Sequence, residues 1–301
     1  MRRVRALALA ARLASAGVAA SCLAGCFSLD IVEWLDDQAK KDKKKKKKKK
    51  RATEDKDDDD AVSLGRAEFP PGTERPVAKH VWSTKALDPA DYSLQYAMSR
   101  GAQDKVLQAH AAFAKKVSYT PLDEGRYRWM IPPGCEPDMG CAFGAMSDSS
   151  REALEPIVAL FEARQREMKL DAGQIAALVV AFVQGIRYER PKDQPFEILP
   201  PASVVAEKRG DCDSKSLLAH LLLRELGIDS VMLSSRAHAH AMLGIAVPAP
   251  GKKFNFGGRT YAFTELTAVG SPIGHVNPEL LSPDDWKIVV TRWPESGWTG
   301  R

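Results

Sequence analysis

Residues 61–301 carry no net charge, although the whole chain has a formal charge of +5. Residues 1–25 contain four arginines and no acid, residues 26–35 contain two acids, and residues 36–60 contain twelve bases and nine acids. The entire surplus therefore precedes residue 61. Nucleic-acid-binding domains usually present a basic surface. The neutral composition of the longer segment indicates that nucleic acid is not a partner.

Acidic residues are absent from the N-terminus, where Arg2, Arg3 and Arg5 precede an Ala- and Leu-rich stretch that only Arg12 interrupts. This pattern is typical of an export signal, so it is excluded from the fold. The stretch ends in Leu-Ala-Gly followed by Cys26. These four residues resemble the lipobox of bacterial lipoproteins.

The lipobox resemblance implies that residues 1–25 are removed and that Cys26 is lipidated and becomes the mature N-terminus. Two or more acyl chains would give stable attachment to a membrane. Phe27 follows the cysteine instead of Asp, which by the same resemblance favours the outer membrane, facing the periplasm. An ordinary cleaved signal or a helical anchor is the alternative.

Residues 26–60 form the lipid anchor and a charged segment. An unbroken lysine run spans residues 43–50, and acidic residues occupy positions 57–60. Such composition cannot bury a core and predicts a solvated tether. Docking of the lysine run on anionic lipid is the alternative.

Cysteine is scarce, with five residues in the chain, and the paired ligand spacings of structural zinc sites are absent. Cys135 and Cys141 flank a short loop that contains Pro and Gly. In an oxidising compartment this predicts a disulfide, with a metal clip or two free thiols as alternatives. Cys212 is left over, and an unpaired thiol in an exported protein is a candidate reactive group.

Two regions follow the tether. Residues 61–150 are an N-terminal region of uncertain structure, in which the Pro-rich stretch 61–91 is expected to be irregular and residues 92–116 have mixed helical character. Residues 151–301 are predicted to form the second region. Its first helix is expected to start at a capping box beginning at Ser149 and to run to Met168.

Local patterns predict an α+β domain in the second region. Asp171 and Gln174 form a second capping box, and a Leu-rich helix begins at Cys212 and is stopped by Gly227. Three apolar strand candidates follow, at residues 230–234, 240–247 and 260–266, with a long hairpin between the last two. Helices followed by antiparallel strands indicate an α+β fold.

The residues that point to chemistry are Cys212, His240 and Glu265. A thiol at a helix N-terminus is close to the positive end of the helix dipole, which favours the thiolate. His238 and His240 alternate on an extended segment and are expected to point to the same side. Glu265 on the next strand candidate can orient an imidazole. This order gives a nucleophile, a base and an orienter.

The run Gly-Asp-Cys-Asp-Ser-Lys-Ser around Cys212, the preceding segment 182–188, and the segments that contain His240 and Glu265 resemble bacterial transglutaminase-like domains. The resemblance covers residues 172–275. It implies a papain-like core, a Cys212 nucleophile, a His240 base and a Glu265 orienter. Glu265 stands where Asp is commoner in that family.

The resemblance implies acyl transfer through a thioester, with hydrolysis of a peptide or isopeptide bond favoured over glutamine-to-lysine crosslinking. The substrate would be a peptide or protein of the cell envelope, and no cofactor is expected. Two alternatives are an inactive lipoprotein that binds envelope peptides, and a metal site made of Cys212, His238 and His240. His238 is the rival base. Gln184 and Tyr188 are candidates for an oxyanion site.

Overall fold

A computed structural model describes the folded part of the chain. The described residues are 61–67, 77–121, 127–130, 132–135, 140–190, 196–280 and 282–289. The predicted signal peptide, Cys26 and the charged tether lie outside them. Among the described residues, no helix combines the length and apolarity that crossing a membrane requires.

A three-stranded sheet opens the described chain. It consists of β1 (Val62–Ala67), β2 (Ala78–Ser83) and β3 (Asp91–Tyr96). β3 is central, parallel to β1 and antiparallel to β2. The expectation that residues 61–91 are irregular is therefore wrong for residues 62–67 and 78–83. Pro89 lies between β2 and β3 and removes no donor from the sheet, and the other prolines of this stretch lie outside the described residues.

Helices and a small hairpin follow. They are α1 (Arg100–Ala114), β4 (Ser118–Pro121), β5 (Tyr127–Met130), α2 (Gly140–Met168) and α3 (Ala172–Gly185).

The start of α2 differs from the sequence prediction. The helix begins at Gly140 rather than at Ser149, and the Ser149 hydroxyl does not cap its start but donates to the backbone O of Met146 at 3.0 Å, inside the helix. Residue 150, the predicted boundary between two regions, consequently lies within α2. The second capping box is confirmed, since Asp171 and Gln174 bond each other's backbone N–H groups at the start of α3.

The nucleophile candidate, Cys212, begins a helix that follows two short strands. Two short strands, β6 (Arg187–Tyr188) and β7 (Arg209–Gly210), pair in parallel, and α4 (Pro201–Glu207) lies between them in sequence. α5 (Cys212–Glu225) starts directly after β7. Gly227 has a φ of +74° and ends the helix region as predicted.

A five-stranded antiparallel sheet completes the fold. Its strands are β8 (Ser230–Ser235), β9 (His240–Ile245), β10 (Lys253–Phe256), β11 (Arg259–Thr264) and β12 (Lys287–Val289), in the order β10-β11-β9-β8-β12. β8, β9 and β11 confirm the three strand predictions. β10 lies within the stretch expected to be only a hairpin connection. The α+β fold class is confirmed.

α5 is the central helix. It packs against α2, α3 and α4 and also contacts β8 and β9. Leu217, Leu218, Leu221 and Leu222 are fully buried in this position. One hydrophobic core joins these leucines to Trp82 of the first sheet, and all described residues belong to one compact unit, Asp58–Arg301. The strand β9, which α5 contacts, begins at His240.

Candidate active site

Cys212 is the first residue of α5. The carboxylate of the preceding residue, Asp211, accepts a hydrogen bond from the backbone N–H of Ser214 at 2.8 Å and caps the helix. The side chain of Cys212 is buried, with 6% of the residue exposed. The backbone N–H of Ala241 on β9 interacts with the thiol. The residue after His240 is therefore adjacent to the nucleophile candidate.

His240 and Glu265 are hydrogen-bonded to each other. Nε2 of His240 lies 2.7 Å from Oε2 of Glu265. Oε1 of Glu265 accepts hydrogen bonds from the backbone N–H and the hydroxyl of Thr267, at 2.7 and 2.6 Å. The extra length of Glu relative to Asp is accommodated because Thr267 fixes the second carboxylate oxygen.

The Glu265 carboxylate sets the tautomer of His240. Burial alone would raise the pKa of Glu265, but hydrogen bonds from His240 and Thr267 outweigh burial and hold this pKa at about 2. An ionised carboxylate only accepts hydrogen bonds, so Nε2 of His240 carries the hydrogen. Nδ1 of the neutral ring is then the nitrogen with a lone pair for a proton from a thiol.

His238 occupies a different environment. Residues 236–239 form a turn, and Ala239 has a φ of +46°, so the expected alternation of His238 and His240 along one strand is wrong. Nε2 of His238 lies 3.2 Å from Oδ2 of Asp285. Both imidazoles contact the Trp286 ring, with centroid separations of 5.9 Å for His238 and 6.2 Å for His240. Each histidine thus has its own carboxylate partner.

The electrostatic environment of Cys212 is opposite to the sequence expectation. Burial raises the pKa of the Cys212 thiol above its ordinary value, and the carboxyls of Asp213 and Asp211 raise it further. The backbone N–H groups of Ala241 and Asp213 oppose this rise. Desolvation and the charges of these two acids act against the effect of the helix dipole on the thiol. The thiol is consequently protonated near neutral pH in this structure.

Gln184 has a structural role that the sequence did not reveal. Its Nε2 donates to the backbone O of Glu265 at 2.8 Å and of Ser271 at 2.9 Å, and its Oε1 accepts from the backbone N–H of Gly270 at 3.1 Å. Both amide hydrogens are therefore used in holding the segment after β11. This arrangement removes Gln184 as an oxyanion donor and fixes the backbone that carries Glu265.

Tyr188 and Lys215 also surround the site. Tyr188 is half-exposed, and burial together with the nearby Cys212 thiolate and Asp211 raises its phenol pKa. Lys215, one turn after Cys212, is fully buried and donates to the backbone O of Ile186 at 2.7 Å. A polar residue at the end of the mostly apolar helix α3 is a sequence feature that could have indicated a buried contact of Gln184, whereas Lys215 lies among polar residues at the start of α5 and has no such signal.

The structure joins Cys135 and Cys141 through a disulfide, with the two Cα atoms 5.3 Å apart. Cys141 is in the first turn of α2, and both residues pack against the main core. The bond therefore ties the chain before α2 to the start of that helix.

Replacing Cys135 and Cys141 with serine is expected to lower the free energy of unfolding by about 2 to 3 kcal/mol, because the unfolded chain loses a cross-link. For a domain of this size the melting temperature falls by about 5 to 10 °C. Calorimetry measures the change, and mass spectrometry of a non-reduced digest should show the linked peptides. Two freely alkylated thiols in protein from the periplasm would contradict the pairing.

No group of three or more His, Cys, Asp or Glu side chains among the described residues is arranged to hold a metal ion. His240 is engaged with Glu265, and His238 with Asp285. His240 and Glu265 are hydrogen-bonded, and Ala241, the residue after His240, interacts with the Cys212 thiol. Cys26 lies outside the described residues.

No protein-family model and no curated protein matches this chain.

Proposed function

We propose that this protein is an envelope-anchored cysteine-nucleophile acyl transferase with a papain-like core, which hydrolyses peptide or isopeptide bonds through a thioester. The observation that carries the proposal is the hydrogen bond between His240 and Glu265, beside the helix N-terminus that bears Cys212. It leaves one imidazole nitrogen able to accept a proton. The resemblance to transglutaminase-like domains supports the same assignment.

The chemistry proceeds by general-base catalysis from a neutral thiol. Sγ of Cys212 attacks the carbonyl carbon while Nδ1 of His240 takes the thiol proton. His240 then gives this proton to the leaving amine, the C–N bond breaks, and a thioester remains. Water attacks the thioester with His240 again acting as base, which releases a carboxylic acid and restores the thiol. Glu265 stabilises the imidazolium formed in each half.

A small activated ester tests the nucleophile without knowledge of the natural substrate. Full-length protein treated with p-nitrophenyl acetate should release nitrophenolate and acetylate Cys212, detected in the tryptic peptide that spans residues 210–215. Cys212→Ala should abolish this acetylation. Acetyl groups found only on lysines, at a rate that Cys212→Ala does not change, would contradict the proposal.

A second candidate is a catalytically inactive lipoprotein that binds envelope peptides in the same place. The observation that favours it is the raised pKa and the burial of the Cys212 thiol. An inactive protein should bind peptide without forming a thioester. The acetylation experiment separates the two candidates, because only a reactive thiol acquires the acyl group.

The resemblance of residues 23–26 to a lipobox predicts that the protein has a lipid anchor at Cys26, whichever of the two functions it has. Expression in a bacterial host with a clickable fatty-acid analogue should label the wild-type protein, because lipidation attaches acyl chains to Cys26. Gel analysis measures the label. Cys26→Ala is the control and should lose it, whereas equal label in both proteins would contradict lipidation at this residue.

A further inference from the structure

The carboxyl of Asp213 touches the nucleophile candidate. Sγ of Cys212 lies 3.8 Å from Oδ2 of Asp213, in the geometry of a thiol donating to a carboxylate. A thiol is a weak donor and an ionised carboxylate accepts only, so the contact is favourable while the sulfur keeps its proton. Once the sulfur ionises, the same contact places two negative charges side by side. The proposed triad leaves this contact unused.

Charged groups on several elements affect the pKa values of Cys212 and Asp213. Asp211, the capping residue directly before α5, also raises the pKa of the thiol, but its charge does so less than that of Asp213. From β9, the charge of His240 acts on Asp213 and favours its ionised form. Glu197, from the segment before α4, has the opposite effect on Asp213.

Other charges facing the site are already engaged. Glu197 forms an ion pair with Arg190 at 2.8 Å. Tyr188 on β6 is close enough to Cys212 for the thiolate to raise the pKa of its phenol. Lys215 donates hydrogen bonds to the backbone O atoms of Gln184 and Ile186, at the end of α3. Asp213 is therefore the acid with a direct contact to the sulfur.

We infer that Asp213 holds Cys212 in its protonated, slow-reacting form, and that neutralising the Asp213 carboxyl releases the nucleophile. With Asp213 ionised, loss of the thiol proton to His240 creates a thiolate against a carboxylate. With Asp213 protonated, the same transfer leaves the carboxyl O–H free to donate to the thiolate. The total charge is the same before and after each transfer, since the proton moves from sulfur to imidazole.

The charge of the Asp213 carboxyl depends on pH. Burial and the charge of Asp211 raise the pKa of Asp213 towards neutrality, while His240 lowers it. The carboxyl is therefore protonated in mildly acidic solution and ionised in alkaline solution. Protonation of Asp213 in mildly acidic solution thus removes the charge that opposes formation of the Cys212 thiolate. The importance of this control for catalysis rests on the proposed function, whereas the effect on the thiol does not.

Iodoacetamide measures the effect, because it is uncharged and reacts with thiolate. Full-length wild-type protein and Asp213→Asn would be alkylated from pH 5 to 10, with the tryptic peptide 210–215 quantified by mass spectrometry. Asp213→Asn should lower the apparent pKa of Cys212 by at least about one unit, which means about tenfold faster alkylation at pH 7. Asp213→Ala should act in the same direction if the asparagine variant folds poorly.

Two matched substitutions act as controls. Asp211→Asn removes an equal charge beside Cys212 but keeps a capping side chain, and it should shift the apparent pKa less than Asp213→Asn. Asp171→Asn changes the equivalent cap of α3, away from the thiol, and should leave the profile unchanged. Melting temperatures establish that each variant is folded.

The outcomes separate this inference from the proposed function. An unchanged thiol profile in folded Asp213→Asn and Asp213→Ala overturns the role of Asp213, even if Cys212 is still acetylated with the help of His240. A profile shifted to lower pH supports that role, even if acetylation does not occur. If Asp211→Asn shifts the pH profile of Cys212 alkylation as much as Asp213→Asn does, the role of Asp213 is also overturned. The direct contact with the sulfur would then add nothing to the effect of a nearby charge.

Discussion

Replacing His240 with alanine is expected to slow acetylation of Cys212 by p-nitrophenyl acetate about 100-fold, and replacing His238 to change it less than about threefold. General-base assistance contributes about 10² to 10⁴ in rate. His240 has the fixed tautomer and lies next to Ala241, whose N–H interacts with the thiol. His238 is instead engaged by Asp285. Nitrophenolate release, corrected with Cys212→Ala, measures the rate.

The expected order of damage is Cys212→Ala, then His240→Ala, then Glu265→Ala. Glu265 acts through His240, so its loss misorients the ring without removing the base. Glu265→Gln keeps a hydrogen-bond acceptor and should be milder than Glu265→Ala. A large effect of His238→Ala with little effect of His240→Ala would reverse the assignment of the base.

The sequence predicted α5 and its N-terminal cysteine because the relevant patterns are local. A capping residue, a leucine repeat and a stop glycine lie within one stretch of chain, and the strands β8, β9 and β11 are short apolar runs. The same local rules failed at Ser149, whose hydroxyl bonds inside a longer helix. They also failed at residues 62–67 and 78–83, where the proline content of the surrounding stretch was taken as evidence against strands.

The electrostatics of the site could not be predicted because they depend on burial. Asp213 was visible beside Cys212 in the sequence, but its effect on the thiol requires that both groups leave water. The contacts of Gln184 join residues 81 to 87 positions apart. The periodicity of apolar residues gives no information about contacts between residues so far apart in the sequence. The motif therefore proposed Cys212, His240 and Glu265, whereas the fold was needed to find the groups that contact them.

Lys215 is expected to make stability depend on alkaline pH. Its Nζ donates to the backbone O of Ile186 at 2.7 Å and of Gln184 at 3.3 Å, which are acceptors at the end of α3. Burial lowers the pKa of Lys215 from 10.5 to about 8, although the charge of Glu265 opposes this shift. A neutral amine still has two hydrogens for these carbonyls. The folded protein therefore tolerates loss of the proton better than the unfolded chain does.

The sign of the dependence follows from proton binding. Between pH 8 and 10.5 the unfolded chain holds the Lys215 proton while the folded protein releases it, so the free energy of unfolding rises with pH by about 3 kcal/mol from this group. Lys215→Met should lack this rise. Urea unfolding at pH 7.5, 9 and 10 measures it as the wild-type free energy minus that of the variant, which cancels other titrating groups. Lys253→Met, at an exposed residue of β10, is the control and should show no pH-dependent difference. A flat difference for Lys215→Met over the same range would mean that Lys215 keeps its proton in the fold, and that its charge rather than its amine hydrogens caps α3.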